Sequence, residues 1–261
     1  MMSPGVRWVR FAYADGRIGF GTVHDDVVTV HSGDMFSGPQ ASDERVSLDS
    51  VEVLAPCQPT KVIALWNNLR EAAEKQGWSA PVQPLYFLKP ASSLVAHRAP
   101  IVRPSSYSGR ILYEGELGVV IGKTCVNVAI EEVDDVVFGY TCVNDVTALD
   151  LINEDASFAQ WTRAKSFDTF AALGPVIASG IDPGAVHVTT VVGGKVRQHY
   201  PVSDMFFSPR QLVSLISRDM TLSPGDVIAC GTSTGAMPMR PQVPIDVQIE
   251  GIGVLTNALA E

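Results

Sequence analysis

Tyr113-Glu114-Gly115-Glu116-Leu117-Gly118-Val119-Val120-Ile121-Gly122 is the stretch on which the fold and the site both turn. Leu117–Ile121 is apolar and β-branched, with Gly122 behind it, and predicts a buried strand. Glu114 and Glu116 stand at i and i+2 at its entry. On a strand those positions share a face, so the two carboxylates project side by side. Like charges at that spacing raise one another's pKa unless a cation neutralises them. Hard oxygen ligands favour Mg²⁺, Mn²⁺ or Ca²⁺. Taken alone, a Glu-x-Glu pair is more often a solvated acidic strand end.

A second carboxylate sits in a similar setting. Phe138-Gly139-Tyr140-Thr141-Cys142-Val143-Asn144-Asp145 predicts another strand, rich in aromatic and β-branched residues. It stops at Asn144-Asp145 and leads into Val146–Ile152, whose pattern is helical. An Asp at a strand-to-helix junction is commonly a helix N-cap. In the alternative, Asp145 joins Glu114 and Glu116. Three carboxylates from two strands then form one face of an octahedral site and leave positions for water and substrate.

The rest of the chain bounds these alternatives. Its 261 residues can bury a sizeable core in one large domain with a small appendage. A hydrophobic content of 46% against 18% charged argues against disorder. The net charge of −9, without a basic run, excludes nucleic acid as a natural partner. Cys57, Cys125, Cys142 and Cys230 are scattered, with no C-x-x-C pair, and read as small core residues in a reducing cytosol. Neither a leader pattern nor a membrane-length apolar run is present in the sequence, so a cytoplasmic protein is expected.

Along the chain, residues 6–31 alternate in short β-like runs broken at Asp15-Gly16 and Asp25-Asp26. They predict a small N-terminal β unit, residues 1–56, closed by the Pro56–Pro59 stretch. Residues 32–46 are polar and predict irregular structure. Lys61–Trp66 and Tyr86–Leu88 read as strands, and Leu69–Gln76 as a helix ended by Gly77. Asn153–Arg163 reads as an irregular polar segment. A hairpin spans residues 186–200 around Gly193-Gly194. Ser208-Pro209 opens a helix with Leu212, Leu215, Ile216 and Met220 at helical spacing. Pro224-Gly225-Asp226 turns into strand Val227–Cys230, and strands follow near residues 244–249 and 252–256. Strands outnumber helices without regular βαβ alternation, so the class is β-rich α+β and not a dinucleotide-binding fold.

In order and spacing, several segments together resemble the fumarylacetoacetate hydrolase superfamily. They are Lys61–Leu65, Tyr86-Phe87-Leu88-Lys89-Pro90, Tyr113–Leu117, Gly139–Thr147, Lys165-Ser166-Phe167-Asp168-Thr169-Phe170, Leu222–Asp226 and Gly231-Thr232-Ser233-Thr234-Gly235. The resemblance covers about residues 57–258 and implies a catalytic domain over 57–261 with a mixed β-roll or sandwich. It further implies a Mg²⁺- or Mn²⁺-dependent site at Glu114, Glu116 and Asp145, and a homodimer. The expected substrates are 2-oxo acids, their enols or β-dicarbonyl acids. It carries an active-site lysine to Lys165 and a substrate-carboxylate contact to Thr232, and it gives Arg70 to the substrate.

One departure bears on the reaction. Hydrolytic members carry Asn-Tyr-Arg-x-His-x-x-Glu after the first catalytic-domain strand, and its His and Glu activate water from a lid. Here those two positions are Ala72 and Lys75, and none of His24, His31, His97, His187 and His199 lies nearby. Glu71 and Glu74 are the available replacements as base. Otherwise the metal activates water alone, or the reaction needs no activated water. The first expectation is C–C bond cleavage in an acylpyruvate-like acid, as in aromatic-compound catabolism. The alternative is a 2-oxo acid decarboxylase or an enol–keto tautomerase, and the remote one is a non-catalytic metabolite-binding homologue.

Overall fold

The computed structural model describes residues 5–261. At the N-terminus β1 (Arg7–Ala12), β2 (Ile18–His24), β3 (Val27–Asp34) and β4 (Ser37–Ser47) pair in sequence as an antiparallel meander. The hairpins turn where Asp-Gly and Asp-Asp predict them. Asp25 and Asp26 take positive φ, a region that short polar side chains tolerate. The stretch 32–46, predicted irregular, is instead mostly the end of β3 and the body of β4. Its polar residues face solvent on an edge strand, where cross-strand pairing replaces burial as the source of order. A short β5 (Glu52–Val53) also pairs with β1.

The strands after residue 57 are built from the apolar runs. They are β6 (Lys61–Trp66), β7 (Leu85–Pro90), β8 (Leu94–Val95), β9 (Ile111–Leu112), β10 (Gly115–Ile121), β11 (Val137–Asp145), β12 (Thr147–Ala148) and β13 (Ala171–Ala178). Helix α1 (Arg70–Gln76) follows β6 and ends on Gly77, whose φ of 70° is the left-handed cap expected there. A short α2 (Val133–Val136) precedes β11, and α3 (Trp161–Lys165) precedes β13. Two local expectations fail here. Val146–Ile152 is not helical but holds β12 and one 3₁₀ turn, because Thr147 and Ala148 pair with Leu112 and Ile111. The segment 153–163, read as irregular throughout, ends inside α3.

The remaining elements are β14 (His187–Val192), β15 (Lys195–Pro201), α4 (Pro209–Asp219), β16 (Val227–Ala229), β17 (Ile245–Ile249) and β18 (Gly253–Asn257). Helix α4 starts as predicted: Ser208 and Gln211 cap one another reciprocally, with Pro209 in the first turn. Strand β1 pairs with β13, so the N-terminal meander shares one 12-stranded sheet with β6, β7, β8, β10, β11, β13 and β16. Its main path runs β4-β3-β2-β1-β13-β11-β10-β16-β6-β7, while β9 and β12 pair apart from it. This sheet curls. From its β7 edge the chain passes through one turn into β8, which pairs in parallel with β13. The second sheet, β15-β14-β17-β18, packs against it. The strand-rich architecture is the β-rich α+β roll anticipated from the sequence.

The curled sheet has two apolar faces. Leu117, Val119 and Ile121 enter the main core. Val120, Val143, Val227, Ala229, Ala64 and Phe87 enter a second cluster on the other face. By strand alternation Glu114 and Glu116 share the face of Val120, and Asp145 shares that of Val143. The carboxylates therefore stand on the second face. All four cysteines are buried and free, and burial pushes the Cys57 and Cys142 thiols up to about 12, which removes them as nucleophiles. Among the described residues, no helix is long and apolar enough to cross a membrane.

Candidate metal centre

Adjacent strands bring the three carboxylates together. Glu116 pairs with Val143 in the β10–β11 ladder, and the Asp145 amide donates to the Glu114 carbonyl at 2.9 Å. One carboxylate oxygen from each of Glu114, Glu116 and Asp145 lies within 4.8 Å of the others. Asp145 is the last residue of β11 and caps no helix. Thr147 steadies Glu114 by donating to Oε1 at 2.7 Å.

Gly115 separates the two glutamates for a steric reason. Its α-carbon faces the second sheet, where a β-carbon would lie 2.1 Å from Thr190 Oγ1. That side is also wired: the Gly115 amide donates to Gln198 Oε1 at 3.0 Å, and its carbonyl accepts from Tyr200 at 2.7 Å and from Thr232 Oγ1 at 2.9 Å. The carboxylates point one way from β10 while the backbone between them is clamped on the other.

Two ammonium groups balance the acids. Lys165 Nζ donates to Glu114 Oε2 at 2.7 Å and to Asp145 Oδ2 at 2.6 Å. Lys89 Nζ donates to Asp145 Oδ1 and to the Val146 carbonyl at 3.2 Å. Burial opposes the charge on Lys165, but Asp145 and Glu114 outweigh it and hold the ammonium above its ordinary range. Burial likewise pushes the Asp145 carboxyl up, and the two lysines bring it below its ordinary value. Lys89 sits lower than an ordinary ammonium, chiefly through burial and against the pull of Asp145. Glu116 is raised well above the carboxylate range by burial, then by Asp145 and Glu114. Its Oε2 accepts from the Gly231 amide at 2.8 Å, while Oε1 is buried with no partner.

That orphaned oxygen, at the meeting point of three carboxylates, is a buried acceptor whose need a cation would meet. Hard-oxygen donors fit Mg²⁺ or Mn²⁺. Glu114, Glu116 and Asp145 would hold the ion.

The other expected site residues distribute unevenly. Lys165, expected just after the irregular segment Asn153–Arg163, is the last residue of α3 and reaches the acids from there. Thr232 is half-buried beside them: its hydroxyl donates to Gly115 and accepts from Gln198 Nε2 at 2.9 Å. Arg70 is turned to structure, donating to the carbonyls of Asp204 at 3.1 Å and of Met205, with its guanidinium 5.0 Å from the Phe206 ring. Glu71 is exposed and ion-paired to Lys75 one turn along α1; Glu74 is exposed. The Lys75 ammonium reaches Thr234 at 3.4 Å, so α1 lies along the Gly231–Gly235 loop. Lys89, Gln198 and Thr147 carry site contacts that sequence reasoning did not assign. The signal for Lys89 lay in Phe87-Leu88-Lys89, where a charge alternates with apolar residues on an inward face. Gln198 sits in an exposed-looking hairpin and gave none.

Paired strands on a curled mixed sheet thus set three carboxylates within ligand distance of one another, a candidate divalent-metal centre. The model described as "Fumarylacetoacetate (FAA) hydrolase C-terminal" matches residues 61–260, and that described as "Rv2993c-like, N-terminal" matches residues 6–56. The chain belongs to the fumarylacetoacetate hydrolase family. A protein of Archaeoglobus fulgidus is 45% identical over 213 residues, 82% of this chain and 84% of its own length. An oxaloacetate tautomerase of Bacillus subtilis is 37% identical over 227 residues, 82% of this chain and 74% of its own. The crystal structure of a 5-carboxymethyl-2-hydroxymuconate delta-isomerase from Mycobacterium smegmatis superposes with a TM-score of 0.89 at 36% identity, covering 97% of this chain and 99% of that one.

Proposed function

We infer that this chain is a Mg²⁺- or Mn²⁺-dependent tautomerase that interconverts the keto and enol forms of a small 2-oxo acid. One observation carries it: the buried Lys165 ammonium bridges Glu114 and Asp145, while α1 offers no imidazole and ties Glu71 to Lys75. The similarity to an oxaloacetate tautomerase and to a hydroxymuconate isomerase supports the same reaction class.

Keto–enol exchange moves one proton between C3 and the C2 oxygen and needs no nucleophilic water. A bound divalent ion would supply Lewis acidity toward the 2-oxo and carboxylate oxygens. Lys165 offsets the charge that develops on the enolate. Its Nζ gives a proton to the C2 oxygen and takes the one leaving C3, so the ammonium is restored and the net change is one proton moved within the substrate. Asp145 and Glu114 keep that lysine charged in the resting site. Thr232, whose hydroxyl is committed to Gly115 and Gln198, contributes the backbone amide that receives the substrate carboxylate. C–C cleavage would add the requirement of an activated hydroxide, with Glu71 or Glu74 as its base unless a bound metal activated the water alone.

The test is a Mg²⁺-loaded assay of oxaloacetate tautomerisation and acylpyruvate hydrolysis on the native chain, Glu71→Gln and Glu74→Gln. Tautomerisation retained within about twofold in both variants supports proton transfer without a lid base, since losing a general base costs about 10²-fold or more. Efficient acylpyruvate hydrolysis abolished by either variant would establish C–C cleavage instead.

A further inference from the structure

On the face that carries the acids, aromatic rings run from the lysine to the surface. Phe87 lies 5.0 Å from Lys165 Nζ. Phe87 stacks on Trp161 at 5.6 Å and 14°, Trp161 meets Trp66 at 5.8 Å, and Trp66 meets Trp78 at 4.9 Å. Phe87 is buried, Trp66 and Trp161 are half-buried, and Trp78 is 40% exposed. The register fixes this geometry. Gly118, Ala229, Ala64 and Phe87 are successive cross-strand neighbours, and Glu116 and Trp66 each lie two residues further along the same face. Gly231, whose amide binds Glu116, falls between the positions of Glu116 and Trp66. Trp161 stands one helical turn before Lys165 on α3.

The cations carried by these elements are already engaged. Lys89 and Lys165 bind the carboxylates, Arg163 pairs with Glu154, Lys75 with Glu71, and Arg70 with backbone carbonyls. A second carboxylate on the substrate would find paired cations and indole faces there. A planar apolar group would find a row of rings at stacking distance.

We propose that Phe87, Trp161, Trp66 and Trp78 form a specificity wall, and that the preferred substrate is a 2-oxo acid bearing an aryl group on C3. This rests on the tautomerase assignment only for where the oxo-acid end lies. The wall sets which tail is accepted; it takes no part in proton transfer.

The experiment compares phenylpyruvate with oxaloacetate on the Mg²⁺-loaded chain, by calorimetric titration and by the rate of keto–enol exchange. Phenylpyruvate is expected to bind at least about tenfold more tightly, the scale of one good aromatic contact. Trp161→Leu is expected to raise its Kd and KM by about tenfold, with kcat and Mg²⁺ affinity held and oxaloacetate unaffected. Trp78→Ala, at an exposed position, gives a smaller shift in the same direction and covers the case in which Trp161→Leu does not fold. Equal or tighter binding of oxaloacetate, or an unchanged phenylpyruvate Kd in the folded variants, overturns the wall. Selective binding of phenylpyruvate with no exchange of either acid overturns the tautomerase and leaves the wall standing.

Discussion

The Lys89 ammonium lies against Oδ1 of Asp145 with neither side chain exposed, and Lys165 takes the other oxygen of the same carboxylate. One aspartate is thus held by two buried cations from different elements. Breaking one side of a buried pair leaves an uncompensated charge, at a cost of about 3–5 kcal/mol. Lys89→Met is expected to lose stability on that scale in urea unfolding of the metal-free chain. Lys89→Met with Asp145→Asn should recover part of it. A Lys89→Met chain that unfolds at the native urea midpoint would show that the pair contributes nothing.

Glu116 predicts opposite effects on metal and on fold. Its Oε1 is unpartnered and its carboxyl is raised by burial and by its acidic neighbours. A carboxyl whose folded pKa exceeds its unfolded one destabilises the fold increasingly as pH rises through the ordinary carboxylate range. Glu116→Gln keeps the acceptor for the Gly231 amide and removes the charge. The metal-free variant should melt higher than the native chain at neutral pH, yet bind Mn²⁺ at least about tenfold more weakly. Glu114→Gln and Asp145→Asn should weaken Mn²⁺ similarly. Unchanged Mn²⁺ affinity across all three, by calorimetry, would remove the site.

Lys165→Met should lower turnover by about 10²-fold or more, the scale of a positioned acid–base group. Mn²⁺ binding should survive, because the carboxylates remain. Turnover at the native rate in this variant would reduce Lys165 to a counter-charge.

His97 sets an acid limb. Burial lowers its pKa to about 4, helped by Arg98, with Asp246 opposing. Its Nδ1 accepts from the Thr256 amide at 3.0 Å, which requires an unprotonated nitrogen. The unfolded imidazole, at about 6.5, binds its proton first. Stability from this group is therefore complete above about pH 6.5 and falls as pH drops toward 4. His97→Asn should flatten that part of the melting-temperature profile between pH 6.5 and 4.5. A profile as steep as the native one would place the acid limb elsewhere.

The elements legible in the sequence were those with a strong local pattern. The Leu117–Ile121 and Phe138–Asp145 strands, the Ser208-Pro209 helix start and the Gly77 stop each carry their own signal. The three carboxylates were legible because strand alternation converts spacing into a shared face. The stretch 32–46 was not, since a polar edge strand gains its order from a neighbour and not from burial. Val146–Ile152 misled because its apolar spacing suits a helix, while Thr147 and Ala148 are claimed by Leu112 and Ile111. Lys89 and Gln198 reach the site across 56 and 34 residues of chain, to Asp145 and Thr232 respectively. For Lys89 the local pattern shows only the inward face that it shares with Phe87, not the partner, and for Gln198 it shows neither.

Gly115 has a consequence for what substitution can achieve in this chain. A β-carbon there would collide with Thr190 on the opposing sheet at 2.1 Å, and the flanking residues are both glutamates of the acidic centre. Saturation mutagenesis at position 115 should therefore return glycine alone among folded, metal-competent clones. Even alanine would force the buried Thr190 side chain to move, and the strain would fall between the two carboxylates, so a single codon couples architectural tolerance to chemistry. Attempts to retune the ion by respacing the glutamates will meet this constraint first, and a paired library at 115 and 190 is the way past it.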